Sequence, residues 1–491
     1  MTMQDIFYGI DFGTTNSAVY AIDVSNRTEY NVEYAIGEDD KRPLPSYVAV
    51  DRKSGKVLTG LDAKNGIISQ DNYEIFSSIK SIIGADKEWI IAEKKWTPVD
   101  IAAELFKALK EKAEKKTKQK LTEAVIAVPV GFSSVKKNNI RRAAEKAGIK
   151  VAMFVSEPTA AFCGRKDEMR KYRNIVVFDW GGGTLDVVVL RIENGIISEL
   201  ASNGISVAGN DIDRKLAYRL CMNASRKNGM DFNFEDLSEP VKNRLHIKCE
   251  EAKCNLADED IAAVYESELD NFGMLMEKVS YDYFELLVEE EITQALNCML
   301  ATISEAGLNR DSIDCILCEG GSSRLRPLHT RLQMYFKKEQ LVFPKKAMWD
   351  IASGAAQIAM SPGCYMLNKP IGVIQSNNVF YPLLKVGQRI PTEEKTVRFG
   401  IVESTEEARI ILTDGENENS QTFLEVFSVR LRGFSDEVID VSCYVDADLV
   451  FKLKVHSNRM PEDVFRVWTY SNLKLSYEID APRPIIGDKN N

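Results

Sequence analysis

NIVVFDWGGGTLDVVVLRIE, from Asn174 to Glu193, holds two apolar, β-branched runs (175–178 and 185–192) on either side of Gly181, Gly182, Gly183 and Thr184. The pattern predicts a hairpin of buried strands closed by a glycine-rich turn. Three glycines let backbone N–H groups converge without side-chain obstruction, which suits the oxygens of a phosphate. Asp179 and Asp186 bracket the turn. A carboxylate beside a phosphate loop repels the anion directly, so the expected role is through Mg²⁺ and its waters, or in orienting a water nucleophile. The bland alternative is a tight glycine turn with acidic strand ends.

The N-terminal stretch YGIDFGTTNSAVY, residues 8–20, repeats the plan: strand, Asp11, aromatic, Gly13, a hydroxyl-bearing turn of Thr14, Thr15 and Asn16, then strand. A distant internal repeat predicts two related halves, each giving one phosphate loop to a shared cleft. Neither loop fits the pattern G-x-x-x-x-G-K-[ST] or G-x-G-x-x-G. A third cluster, Glu319-Gly320-Gly321-Ser322-Ser323-Arg324, follows the apolar segment 313–318.

Composition narrows the function classes. The 491 residues exceed what one core organises and predict three or four domains or subdomains. A net charge of −10 argues against sequence-independent nucleic-acid binding. The nine cysteines are scattered and odd in number, and Cys249 and Cys254, five apart, have no CxxC pair near them, which predicts free thiols in a reducing compartment. No stretch approaches the length of a membrane span, and the start of the chain leads straight into a strand without a basic, apolar leader. A cytoplasmic location is therefore expected.

Two Asp-Gly hairpins and a late Gly-Gly-Ser-x-Arg turn resemble the actin, sugar-kinase and heat-shock ATPase superfamily. The ordered set of residues 9–17, Val128-Pro129 with Phe132, Glu157-Pro158-Thr159-Ala160-Ala161, 178–186 and 320–324 resembles DnaK-type chaperones of the seventy-kilodalton heat-shock family. The resemblance implies an α/β actin-like ATPase domain of two lobes over residues 1–360. It further implies a linker at 361–370 and an antiparallel β-sandwich over 371–491. Bound ATP or ADP with Mg²⁺ follows, with K⁺ as a further candidate ion.

Roles follow from the same resemblance. Thr14, Thr15 and the Gly181–Thr184 turn would hold phosphates, with Gly13, Asn16 and Gly209 beside them. Asp11, Glu157 and Asp179 would order the Mg²⁺ water shell. Lys80 reads as a surface lysine by sequence alone; the resemblance makes it the cation at the γ-phosphate and the attacking water, assisted by Thr184 and Asp186. Glu250, Lys253, Gly320, Gly321, Ser322 and Arg324 would line the nucleoside side. Pro129 would belong to an element relaying nucleotide state.

Elsewhere, Thr97-Pro98 predicts a helix start with Thr97 as N-cap, and Ile101, Leu105, Leu109 and Ala113 form its apolar face. Residues 124–129 read as a buried strand and 135–147 as a helix ended by Gly148. Gly37-Glu38-Asp39-Asp40 reads as a turn, and residues 215–310 as mainly helical, including 282–306. From 370 to 480 alternation takes over, as in Leu449, Phe451, Leu453 and Val455, predicting short antiparallel strands.

Departures from the family pattern carry expectations too. Cys254 stands where the family has an arginine stacking on adenine, and Ala257 where it has a contacting serine, so weaker nucleotide affinity or altered base preference is expected. Trp349 offers a substitute stacking surface. The family's helical lid has no counterpart here, which predicts rapid release of extended peptide. At the junction only Tyr365-Met366-Leu367 imitates the family's apolar docking segment. Met153 replaces an arginine that engages J-domain cochaperones, leaving those partners and an exchange factor open.

The main expectation is a slow ATP hydrolase whose nucleotide state gates binding of extended or unfolded polypeptide by the C-terminal β-domain. The alternative is a nucleotide-dependent switch or scaffold of the same fold serving one dedicated protein partner. A small-molecule kinase would leave the β-rich tail unexplained, and an inactive scaffold conflicts with the intact set Asp11, Lys80, Glu157, Asp179, Thr184 and Asp186. Nucleic acid and membrane are not expected partners.

Overall fold

The computed structural model describes residues 6–34, 42–65, 72–344, 347–361, 365–401, 406–415, 422–434, 436–460 and 466–478. The expected turn at residues 37–40 lies outside them.

The decisive stretch folds as read. Strands Asn174–Trp180 and Leu185–Glu193 form an antiparallel hairpin in which Asp179 faces Asp186. Every residue from Ile175 to Trp180 is buried, because both faces of the sheet are covered; hence the unbroken apolar run. The N-terminal pair Ile6–Asp11 and Asn16–Asp23 repeats this hairpin.

Each hairpin anchors a larger sheet. In the first, Lys150–Ser156, Glu123–Val128 and Ile6–Asp11 run parallel in that order, followed by the antiparallel Asn16–Asp23 and Thr28–Asn31. Parallel neighbours need crossovers, supplied here by helices such as Pro98–Thr117 and Ser134–Lys146. Thr97 caps the first of these with a full capping box to Asp100, and Ile101, Leu105, Leu109 and Ala113 are buried, as expected.

The second sheet has seven strands: Leu341–Val342, Cys315–Glu319, Asn174–Trp180, Leu185–Glu193, Ile196–Ile205, Leu475–Glu478 and Tyr365–Leu367. Its last two members differ from the sequence expectation. Leu475–Glu478, read as part of the C-terminal β-region, pairs with Ile196–Ile205 instead. Tyr365–Leu367, read as part of an extended linker, pairs with Leu475–Glu478, and Tyr365 and Leu367 are buried. Alternation identifies a strand but not its partner.

Helices Glu157–Gly164 and Asp350–Ala359 pack closely where the two sheets meet. A Cβ added to Gly354 would lie 1.8 Å from the Ala160 carbonyl oxygen, and one on Gly164 would lie 2.2 Å from that of Asp350. Backbone therefore meets backbone, which only glycine permits.

The stretch 215–310 is less helical than its periodicity predicts. Strands Ile261–Glu266 and Leu275–Ser280 form a hairpin, and the expected 282–306 helix is two, Tyr281–Leu287 and Glu289–Glu305, parted at Val288. Burial alternates strictly along Ile261–Glu266, but the sequence is apolar from Ile261 to Tyr265 and carries no such alternation to read.

The C-terminal region supplies two four-stranded antiparallel sheets, Phe380–Leu384, Ile371–Ile374, Glu407–Asp414 and Thr422–Arg430, and Lys395–Gly400, Val438–Val445, Phe451–Ser457 and Arg466–Tyr470. Inward residues including Val373, Leu412, Val441, Phe451 and Leu453 share one core with Val177, Val188, Leu317 and Ala160. Arg141 pairs with Asp448, and Lys137 Nζ donates to the Asp448 carbonyl at 2.9 Å, tying helix Ser134–Lys146 to the turn before Phe451.

Candidate functional site

The two glycine turns face each other across a cleft of about 690 Å³. A Cβ on Gly182 would meet Thr15 Oγ1 at 2.1 Å and one on Gly183 would meet Thr14 Oγ1 at 2.6 Å, so the turns approach as closely as bare backbone allows. The glycine turn is braced from behind. Ser322 Oγ donates to the Gly181 carbonyl at 2.8 Å, as does the Gly209 N–H at 3.1 Å, and the Asn210 N–H donates to the Gly182 carbonyl at 2.8 Å.

Asp11, Lys80, Glu157, Asp179 and Thr184 line the cleft together with Gly13, Thr14, Thr15, Asn16, Gly181, Gly182 and Gly183. Further along lie Glu250, Lys253, Gly320, Gly321 and Arg324. Three expected members sit behind the lining instead. Ser322 is buried and its hydroxyl serves the Gly181 carbonyl, while Gly209 packs beneath the turn. Asp186 is likewise buried below the floor, where it accepts the Val130 N–H at 2.8 Å, next to Pro129.

The floor is electrostatically lopsided. The buried Glu157 and Asp179, the half-buried Asp11 and, beneath them, the buried Asp186 surround one ammonium, Lys80, which is ion-paired to Glu157. Burial opposes the Lys80 charge, but Glu157, Asp11 and Asp186 outweigh it and hold the group above its ordinary value. Burial, then Glu157, pushes Asp11 up to about 7 against the pull of Lys80. Burial and Glu157 likewise push Asp186 up to about 7, against Thr184, Lys80 and the Val130 N–H. Asp179 is raised well above the carboxylate range by burial and by Glu157, Asp186 and Asp11. Such excess negative charge favours a bound cation, and an all-oxygen donor set suits a hard one.

Lys80 follows a strained turn. Ser78, the cap of helix Ile79–Ile82, adopts φ 52°, a left-handed conformation that a serine pays for in torsional energy. Its Oγ accepts from Asn210 Nδ2 at 3.1 Å, joining the region around Lys80 to the backbone that braces the glycine turn.

The far end of the cleft mixes expected and unexpected residues. Lys253 Nζ donates to the Gly209 carbonyl at 3.1 Å and pairs with Asp213 at 2.7 Å; burial raises Asp213 to about 6 against the pull of Lys253. Glu250 pairs with Lys64 at 3.1 Å across the cleft. Lys64 carried no sequence signal, being one lysine on the short helix Leu61–Asn65. Arg165 is a second omission: its Nε donates to Asp350 Oδ2 at 2.5 Å and lies 3.8 Å from the buried Glu319, beside Gly320. Cys254 and Ala257 both line the cleft. Trp349 does not stack there. It packs against Ala18, Tyr20, Ile22, Ala352 and Ala356, and its neighbours Ala347 and Met348 reach the cleft in its place.

None of the eight described cysteines forms a disulfide with another. Among the described residues no helix is long and apolar enough to cross a membrane.

Comparison with known proteins agrees with this geometry. The family model described as Hsp70 protein matches residues 7–454. The chaperone protein DnaK of Thermosipho melanesiensis is 28% identical over 467 residues, covering 91% of this chain and 77% of the relative. DnaK of Thermotoga neapolitana is 27% identical over 471 residues, with the same coverage. DnaK of Metamycoplasma hominis is 28% identical over 474 residues, covering 92% of this chain and 77% of its own length. With nearly the whole chain matched and both glycine turns facing one cleft, this protein belongs to the Hsp70 family and is a member of the DnaK type.

Proposed function

We propose that the cleft binds ATP and hydrolyses it slowly, and that the nucleotide state governs how the C-terminal sheets hold extended polypeptide. The observation that carries the reading is the charged floor of Asp11, Lys80, Glu157 and Asp179, with the buried Asp186 below it, beneath two apposed glycine turns. In this reading residues 1–360 are an actin-like domain of two related lobes, 361–370 connects them to the rest, and the following strands form a substrate-binding β-sandwich.

Thr14, Thr15 and the Gly181–Thr184 turn cradle the phosphates. Lys80 offsets charge developing on the transferred phosphoryl group and holds the attacking water, while Glu157 fixes its ammonium. Asp186, hydrogen-bonded with Thr184, steadies the far side of the turn. Among the described residues no three His, Cys, Asp or Glu side chains form a direct metal cage, so Asp11, Glu157 and Asp179 would hold Mg²⁺ through water. The ion, when bound, neutralises phosphate charge. Lys253, Glu250 and Arg324 would frame the nucleoside.

Lys80→Ala tests the reading. Single-turnover hydrolysis should fall at least about 100-fold while ATP affinity stays within about threefold. Equal turnover in the two proteins would remove Lys80 from the mechanism.

A second reading, a switch for one dedicated protein partner, draws on strand Leu475–Glu478, which holds the C-terminal segment in the second sheet. Limited proteolysis at 361–370 separates the two. Cleavage that differs between ATP and ADP supports gating of a mobile β-region, and an unchanged pattern with nucleotide bound supports the dedicated partner.

A further inference from the structure

Strand Leu475–Glu478 is an interior strand. Ile197 faces Tyr477 and Ser198 faces Ser476 on one side, and Tyr365 faces Tyr477 and Leu367 faces Leu475 on the other. The Ser198 and Ser476 hydroxyls lie 2.9 Å apart, and the Tyr477 ring is buried 5.5 Å from that of Tyr365. Just before the strand, the buried Lys474 donates through Nζ to Ser202 Oγ at 2.7 Å.

Glu199 is where this strand meets the ATPase machinery. Its carboxylate is buried and accepts from Thr159 Oγ1 at 2.5 Å and Ser156 Oγ at 3.4 Å. The Lys474 ammonium and the Leu475 backbone N–H favour its charged form against burial, and the Glu199 carbonyl accepts Asn368 Nδ2 at 2.9 Å. Ser156 is the N-cap of helix Glu157–Gly164 and Thr159 lies in its first turn. The residue they flank is Glu157, the partner of Lys80. A buried carboxylate needs its donors, so losing either group of them destabilises the hold on the other.

We infer that Glu199 is a positioning residue, tying strand Leu475–Glu478 to the first turn of helix Glu157–Gly164 so that docking of the strand sets the placement of Glu157 and Lys80. The inference rests on the ATPase reading above. Nothing in that reaction calls for a buried acid at position 199; what it joins is a C-terminal strand and a catalytic helix.

The test uses the full chain. Glu199→Gln keeps the shape but turns an amide toward the donors. Hydrogen exchange should show protection falling together at residues 475–478 and 157–160. Single-turnover hydrolysis of Mg-ATP should slow about tenfold, equivalent to about 1.4 kcal/mol, while ADP affinity stays within about twofold. Unchanged turnover, or protection lost at one segment alone, overturns the tie. The pair Ser198→Cys with Ser476→Cys, oxidised to a disulfide, holds the strand in place independently of residue 199. In the Glu199→Gln background the disulfide should restore protection at 475–478 and leave turnover slow. Recovery of turnover would assign the effect to the strand alone and overturn the role of Glu199. A wild-type chain that binds no nucleotide would sink the ATPase reading instead; the paired loss of protection would still report on the tie.

Discussion

Gly354→Ala tests whether the helix pair between the sheets sets the active site. The added Cβ would lie 1.8 Å from the Ala160 carbonyl oxygen, 2.6 Å from the Ala160 carbonyl carbon and 2.8 Å from the Gly164 nitrogen. All three are backbone atoms, so no rotamer change relieves them. An ordinary contact needs about 3.5 Å, and the helices must part by about 1.7 Å, as in any overpacked core. Helix Asp350–Ala359 is held against the first sheet and helix Glu157–Gly164 carries Glu157, so the shift reaches the Lys80–Glu157 pair. Overpacking of this kind costs about 3 kcal/mol, and displacing a reacting group by about 1 Å costs about 100-fold in rate. Urea unfolding and single-turnover hydrolysis read the two effects. Gly400→Ala, where nothing lies within 4 Å of the added carbon, is the control and should change neither. A Gly354→Ala protein within about 0.5 kcal/mol of wild type and equally active would refute the reasoning.

Three further outcomes are expected. Asp11 and Asp186 have folded-state values near 7, above those of the unfolded chain, so the ligand-free protein binds more protons when folded. Its stability should therefore fall as pH rises from about 4 to about 7, by at most about 1.4 kcal/mol per unit for each group, and Mg²⁺ with nucleotide should flatten the decline; thermal melts across that range that rise instead would contradict it. Cys254→Arg places a stacking cation at the cleft wall and should tighten ADP binding about fivefold by fluorescence titration, with no gain meaning that the base lies elsewhere. Asp448→Ala removes the partner of Arg141 while sparing the carbonyl that takes Lys137; it should cost about 1 kcal/mol and speed proteolysis at 361–370, and unchanged cleavage would place the docking energy in the shared apolar core.

Much of this site was legible because its chemistry is local. The glycine turns, the aspartates at the strand ends and the Thr97 cap each announce themselves within a few residues, and all form as read. What stayed hidden depends on partners far along the chain. Ser322 looks like part of a glycine-rich loop, yet its hydroxyl is turned by the Gly181 carbonyl. Trp349 looks like a stacking surface, but Tyr20 and Ala352 offer it a drier place. The 261–280 hairpin was lost inside a helical neighbourhood, and the 475–478 strand has an alternation that names no sheet. Lys64 and Glu199 are single charges whose meaning appears only once the cleft and the sheet are assembled.

The interior place of strand Leu475–Glu478 also orders assembly in time. Ile197 and Tyr477 are neighbours in the sheet yet lie more than half the chain apart, and among the described residues Tyr365–Leu367 pairs with no other strand of that sheet. A ribosome emits both glycine turns and Lys80 long before it emits the strand that completes the second sheet. Until then the apolar edge at Ile196–Ile205 stands open to any extended segment nearby, as unpaired edges do. Contacts this distant close slowly. The nascent protein therefore passes through an interval in which its cleft is built and its sheet is unfinished, and in which it is itself the kind of chain that chaperones attend.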